Sequence, residues 1–265
     1  MVKDGSRAGE YANLDFKMLV DLSIVDMLLR YEMLPLTLDI EHFAKVQLLG
    51  QAEGAGEDGY AVVTDFLTTF DEPRAGGLVS NRVKQEIEGG RSSSYVADLL
   101  KRYPDHDYPI WAFLEVITFG TFLRLYRFCG ERFDSKQMHD GFYLLQGVKS
   151  LRNACAHNNC ILNNLVSGAA HHNVQPAVSQ ALTQVDGLGK SARRSRMGND
   201  RIQQIATTLY VHRELASDGV RGHRAQSLHE FRARMDRHID YYKDNFQVSS
   251  TFDFLGKVIG AWYPV

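Results

Sequence analysis

Within the run Leu151-Arg152-Asn153-Ala154-Cys155-Ala156-His157-Asn158-Asn159-Cys160, a guanidinium and an imidazole stand five residues apart among several amides. Arginine stays charged and matches phosphate oxygens, while histidine gives or takes a proton near neutral pH. Together they suffice for metal-free cleavage of a phosphodiester when the substrate is RNA, because its 2′-hydroxyl supplies the nucleophile. A positioned histidine contributes roughly 10²- to 10⁴-fold as acid or base, and a fixed cation offsets the charge growing on the phosphorus oxygens. The candidate catalytic pair is therefore Arg152 and His157. Asn153 and Asn158 are supporting candidates, able to orient one of the pair or to hydrogen-bond the phosphate.

The spacing constrains the element that carries them. Five residues of regular helix turn through about 500°, leaving Arg152 and His157 about 140° apart in projection. Either the helix ends near His157, as the run of Asn suggests, or two copies meet across a symmetric interface and share one cleft. Upstream, Met138, Phe142, Leu145, Val148 and Leu151 recur at helical spacing, and Asp134 is the expected N-cap. This predicts a motif helix over about 135–158, with Lys149 on the turn before Arg152 as an RNA-binding candidate.

The rest of the chain reads as further helices. Leu14, Met18, Leu22, Val25 and Leu29 predict an amphipathic helix from an Asn13 cap to Tyr31, and Pro35 predicts a kink or a fresh start. Leu36, Ile40, Phe43 and Leu49 continue a second stripe that contains Glu41 and His42. Pro109 opens a strongly apolar stretch from Trp111 to about Cys129, the expected central core helix, with Glu115 in need of a partner if buried. Helices are also predicted from Tyr60 to Phe70, from Pro176 to about Val185, and over Asp200 to Ser217, Arg224 to Phe246 and Thr251 to Trp262. No strand-like alternation competes, so the fold class is all-α.

Several of these landmarks occur together in one known family. Pro109-Ile110-Trp111, Glu115 and Phe119-Gly120-Thr121, followed by Arg152-Asn153, Ala156-His157 and Asn163, resemble the Abi-like (abortive infection) bacterial proteins. The Arg-x4-His core resembles the signature of HEPN domains, and Asp39-Ile40-Glu41-His42 resembles the family's Ile-Glu-His helix. The resemblance runs from about Leu14 onward and implies a single domain over 1–265, a HEPN-like helical bundle with additional helices. It further implies a homodimer with both motifs facing a basic cleft, metal-independent endoribonuclease activity, and a setting in phage defence or toxin-like growth arrest. A small regulatory RNA or antitoxin is a possible further partner. Two departures stand out: Asn158, Asn159 and Cys160 where relatives often carry Arg or His, and a shorter N-terminal segment than many relatives have.

Composition narrows the remaining classes. With 265 residues, 44% hydrophobic and 23% charged, the chain is in the ordinary globular range and can bury one large core or two modest ones. A formal net charge of −2 excludes coating of nucleic acid by bulk charge, so RNA binding requires a local basic patch. No apolar run of bilayer length is present, and no membrane association is expected. Cys129, Cys155 and Cys160 are odd in number and form no C-x-x-C pair, which suits a reducing compartment and places the protein in the cytoplasm. No phosphate-binding glycine loop or nucleophile elbow occurs, and neither a metal site nor a cofactor is expected.

Some features keep two readings. Glu41 is either a partly buried structural carboxylate or the partner that holds Arg152 in place. A flexible basic loop is expected at about 187–199, where Lys190, Arg193, Arg194 and Arg196 serve as a phosphate-binding arm or as a solvated linker. The polar stretch Ile161 to Gln175, with its His171-His172 pair, reads as an excursion close to the motif. Finally, the same Arg and His can grip phosphate without turnover, making the module a non-catalytic RNA- or protein-binding one, or His157 can be simply a helix C-cap.

Overall fold

The computed structural model describes residues 15–74 and 79–265. The expected Asn13 cap lies outside them. The described residues form α1 (Phe16–Gly54), α2 (Gly59–Thr68), β1 (Asp71–Pro73), β2 (Val79–Asn81), α3 (Arg82–Gly89), α4 (Ala97–Arg102), α5 (Ile110–Val116), α6 (Phe119–Arg132) and α7 (Lys136–Ala156). After a long irregular stretch come α8 (Pro176–Thr183), α9 (Lys190–Met197), α10 (Asp200–Leu215), α11 (Asp218–Asp236) and α12 (Phe246–Trp262). The fold is all-α, with one small addition that alternation did not reveal: β1 and β2 pair antiparallel, Glu72 opposite Ser80. Each strand has three residues, too few to show a period. Packing divides the described residues into two compact units, one drawn from 15–38 and 150–265, the other from 39–74 and 79–149.

α1 runs through Pro35 without a fresh start. An internal proline removes one backbone hydrogen bond and costs about 3 kcal/mol. Burial on both sides of it offsets that cost: Val25, Leu29, Met33 and Leu36 are buried before and just after it, and Ile40, Ala44 and Leu48 further on.

In the unit of residues 39–149, Phe66 of α2 is the aromatic centre. Its ring meets Phe113 edge-on at 5.8 Å and Phe128 at 5.6 Å. The expected single helix from Pro109 to Cys129 is two helices, broken at Ile117 and Thr118. The break has a polar cause. Thr118 caps α6, and the Glu86 carboxylate accepts the Thr118 N–H at 2.9 Å and the Thr121 hydroxyl at 2.8 Å. Glu115 is exposed and needs no buried partner. Likewise Asp134 does not cap α7. It adopts a left-handed φ of 48° and closes α6, while Ser135 Oγ accepts the Met138 N–H at 3.4 Å and Ser135 takes the capping position. Arg132 ties α6 to α2, gripping Glu57 through two bonds of 2.8 Å and Asp65 at 2.6 Å. The Arg132 guanidinium holds the Glu57 carboxyl below its usual range.

In the other unit α12 packs against both α10 and α11, with Leu209, Leu228, Phe231, Phe252 and Leu255 buried. The helix expected from Arg224 to Phe246 begins earlier, at Asp218, and stops at Asp236. Tyr263 donates to the Leu209 carbonyl at 2.9 Å and lies 3.0 Å from His212 Nδ1. The start of α1 is anchored here as well: buried Asp21 pairs with Arg234 and accepts the Tyr242 hydroxyl at 2.7 Å, and burial, helped by that bond, pushes the Tyr242 phenol upward.

Because Phe66 is 1% exposed and central to three helices, Phe66→Ala should lower unfolding stability by about 3–5 kcal/mol. Urea denaturation followed by circular dichroism measures it.

Candidate active site

α7 delivers the motif to its own end. The helix stops at Ala156, and His157 is its C-cap. The Asn159 N–H donates to the Ala154 carbonyl at 2.9 Å and the Asn158 N–H to the Cys155 carbonyl at 3.1 Å, with Asn158 left-handed at a φ of 56°. These paired bonds are the Schellman termination, with Asn in the position glycine usually occupies, since Asn tolerates this conformation better than most residues. The chain therefore turns at His157, which removes the straight-helix projection between Arg152 and His157 as a constraint.

Arg152 is half-buried and His157 is exposed. The Arg152 Nε is buried without a hydrogen-bond partner among the described residues, and Nη1 reaches only the neighbouring Asn153 Oδ1, at 3.3 Å. No carboxylate of its own unit pairs with it among the described residues. Asn153 thus touches the arginine, as a supporting amide should, while Asn158 is committed through its backbone to the helix end. Glu41 belongs to the other unit, where it pairs with Lys45 at 3.1 Å. Lys149 is half-buried in that unit too, and a Cβ at Gly120 would sit 3.5 Å from its Nζ. The glycine of Phe119-Gly120-Thr121 leaves room for this lysine.

The residue that sequence reasoning missed is Asp26. Its buried carboxylate accepts the backbone N–H of Ile161 at 2.8 Å and of Leu162 at 2.7 Å, and the Cys160 thiol at 3.3 Å. It also pairs with Arg30, whose Nη1 lies 3.5 Å from the Asn159 carbonyl. A carboxylate beside the apolar stripe of α1 was the only signal. Apart from Arg30, its partners lie more than 130 residues away and cannot be found from spacing.

Beyond Leu162 the chain makes the expected excursion, irregular up to Gln175 but tied down. Asn199 caps α10 through Oδ1 and spends its amide on the Asn164 and Val166 carbonyls, at 2.8 and 3.0 Å. The Ala170 N–H donates to Gly198 at 3.0 Å. Asp200 accepts the His171 N–H at 2.8 Å and also holds its ring Nδ1. Burial raises the Asp200 carboxyl, but the bonds from His171 outweigh this and hold it below its usual range.

The stretch expected as a flexible loop at about 187–199 is instead built around α9, and its cations divide. Lys190, Arg193 and Arg194 line an open cleft of about 560 Å³ together with His172. Arg196 departs from the expected RNA contact: it is 4% exposed and donates to the Gln247 carbonyl at 3.2 Å and the Thr251 hydroxyl at 3.0 Å. A helix of this length must dock a face, and Arg196 with Met197 is the face it docks.

Among the described residues, no group of three or more His, Cys, Asp or Glu side chains is arranged to hold a metal ion, and no helix is long and apolar enough to cross a membrane. Replacing Asp26 by Ala should leave Arg30 unpaired and three donors unmet, costing about 3–5 kcal/mol. Thermal unfolding reads the loss, and hydrogen exchange should locate new opening at Ile161 and Leu162.

Over residues 2–163 the chain matches the family model described as Abi-like protein. No curated protein and no solved structure matches it.

Proposed function

We propose that this chain, which belongs to the Abi-like family, is a metal-independent endoribonuclease of HEPN type acting in the cytoplasm. Family membership points to a role in abortive infection, the defence against phage. The observation that carries the catalytic reading is the Arg152 guanidinium, partly desolvated, with an unpartnered Nε and no carboxylate of its unit to neutralise it. Beyond the one bond from Nη1 to Asn153, the terminal nitrogens of this cation keep donors for an external phosphate, and low local dielectric strengthens the attraction.

In the proposed reaction His157 takes the proton of the RNA 2′-hydroxyl, O2′ bonds to phosphorus, and the P–O5′ bond breaks. The leaving 5′-oxygen receives a proton from a second acid, which a homodimer supplies as His157 of the partner subunit. The products are a 2′,3′-cyclic phosphate and a 5′-hydroxyl. Arg152, with Asn153 against it, offsets the charge on the phosphorane-like oxygens. Lys149, Lys190, Arg193 and Arg194 are RNA-backbone contacts, and a small RNA or antitoxin is the class of partner that would hold such an activity in check.

A homodimer is supported by one face of α1. Val20, Ile24, Met27, Tyr31, Leu34 and Leu38 alternate at spacings of four and three, the seam of paired helices, and Val20, Ile24, Tyr31 and Leu38 are exposed. A second copy presents the same seam. Tyr31→Glu should convert a dimer to a monomer in sedimentation velocity without loss of helical signal.

A non-catalytic RNA-binding role is favoured by two observations: the amides and thiol of Asn158, Asn159 and Cys160 where basic residues would grip RNA, and a His157 side chain with no orienting partner among the described residues. Incubation of wild type and His157→Ala with end-labelled single-stranded RNA in EDTA separates the readings. Cleavage by wild type to cyclic-phosphate ends, reduced at least about 10²-fold in the variant with RNA binding retained, is the expected result. Binding by both proteins with cleavage by neither would give the case to the binding module.

A further inference from the structure

A second cleft opens beside the end of the motif helix, and the proposed chemistry leaves it without a role. It holds about 430 Å³, within the usual range for small-ligand sites, and lies wholly within the unit that carries Arg152 and His157. Leu151 and Ile161 supply apolar lining, the first next to Arg152 and the second held by Asp26. Asn159, Asn164 and Gln204 bring amides whose side chains make no hydrogen bond among the described residues. Asn164 is fixed by its backbone, with its carbonyl taken by Asn199 and a left-handed φ of 47°. Its side chain is therefore free while its position is not.

The wall of this cleft is His171. Its ring and its N–H are both bound to Asp200, so the imidazole is held although its side chain remains 82% exposed. An exposed aromatic ring clamped in one orientation has the form of a stacking surface. On the opposite side of the same stretch, Gly168, Ala170 and His172 line the cationic cleft of Lys190, Arg193 and Arg194, whereas Ala169 and His171 line the amide cleft. The two histidines thus serve two different surfaces, one amide-rich with Asp200 and Arg201 of opposite charge on its lining, one positive. Single-stranded RNA offers that same pair of chemistries, since its bases splay out to stack and pair while its phosphates run alongside.

We infer that the cleft between α7 and α10 is a nucleobase pocket for single-stranded RNA next to the scissile phosphate, stacking the base on His171 and reading an adenine edge with the amides of Asn164 and Gln204. Adenine is the match because an Asn or Gln amide donates to N7 and accepts from N6 in one plane. The inference rests on the proposed RNA substrate and supplies what that reading lacks, a basis for choosing where to cut.

The test uses the full chain carrying His157→Ala, so that binding is read without turnover, and labelled eight-nucleotide A, C and U homopolymers in fluorescence anisotropy. The A oligomer should bind about tenfold more tightly than the U oligomer. Gln204→Leu and Asn164→Gly, the latter chosen to keep the left-handed backbone, should each reduce that preference to about threefold or less. His171→Ala should weaken all three oligomers by about fivefold or more, as loss of stacking does. Thermal melts of each variant distinguish lost contacts from lost fold. Equal affinity for the three oligomers in the intact pocket, or a preference that survives both amide variants in folded protein, overturns the inference. If those outcomes accompany His157-dependent cleavage by wild type, the nuclease reading stands and the pocket alone fails. If no oligomer binds, both fall.

Discussion

A single buried carboxylate, Asp26, decides where the chain goes after the motif helix. Left alone in the interior it would cost several kcal/mol, because an ionised group loses its water. Arg30 one turn along α1 and the backbone N–H groups of Ile161 and Leu162 replace that water. The satisfaction is mutual. A chain leaving a helix through a left-handed Asn158 bonds back to the Ala154 and Cys155 carbonyls but must still find partners for the amides that follow. Asp26 provides them, and in doing so fixes the floor of the amide cleft and the starting direction of the excursion.

α1 is therefore more than an apolar stripe. Within its unit it carries Asp21 and Asp26, both buried, one bound to Arg234 and Tyr242 near the C-terminal helices and the other bound to the segment behind His157. The same helix joins the candidate site to the packing of α11 and α12. Charged groups placed this way specify a partner more narrowly than hydrophobic contact does, because a misplaced neighbour leaves a carboxylate unpaired. The irregular stretch from His157 to Gln175 has no secondary structure of its own, and it is positioned by polar side chains at every few residues: Asp26, Asn199, Asp200.

Periodicity made the helices legible, since spacings of three and four mark buried faces wherever a helix is long. It failed where short-range polar chemistry overruled the pattern. Glu86, more than thirty residues away, reaches Thr118 and Thr121 and splits the apolar stretch that reads as one helix. Ser135 caps α7 because Asp134 is needed in a left-handed turn. The basic run at 187–199 looked like a loop because four cations obscured Met197, and the inward face of α9 includes the aliphatic stem and head of Arg196. Pro35 was overruled in the other direction, by burial on both sides. In the candidate site, Arg152 and His157 were legible from residue type and spacing, and Asn153 from adjacency. Asp26, Asn199 and Asp200 were not, because each acts on residues from 29 to more than 130 positions distant.

Alternate residues of the stretch 168–172 face two different clefts. Surface loops ordinarily accept insertions and deletions with little penalty. This one is held before its start, by Asp26 and Asn199, and again within it, by Asp200, so gaining or losing one residue between those anchors would exchange its faces. His172 would then meet Asp200, and the small side chains would replace the ring at the wall of the amide cleft. The number of residues in this stretch is thus a structural constraint in its own right, since the alternation of its two faces survives a substitution but not a single-residue change of length.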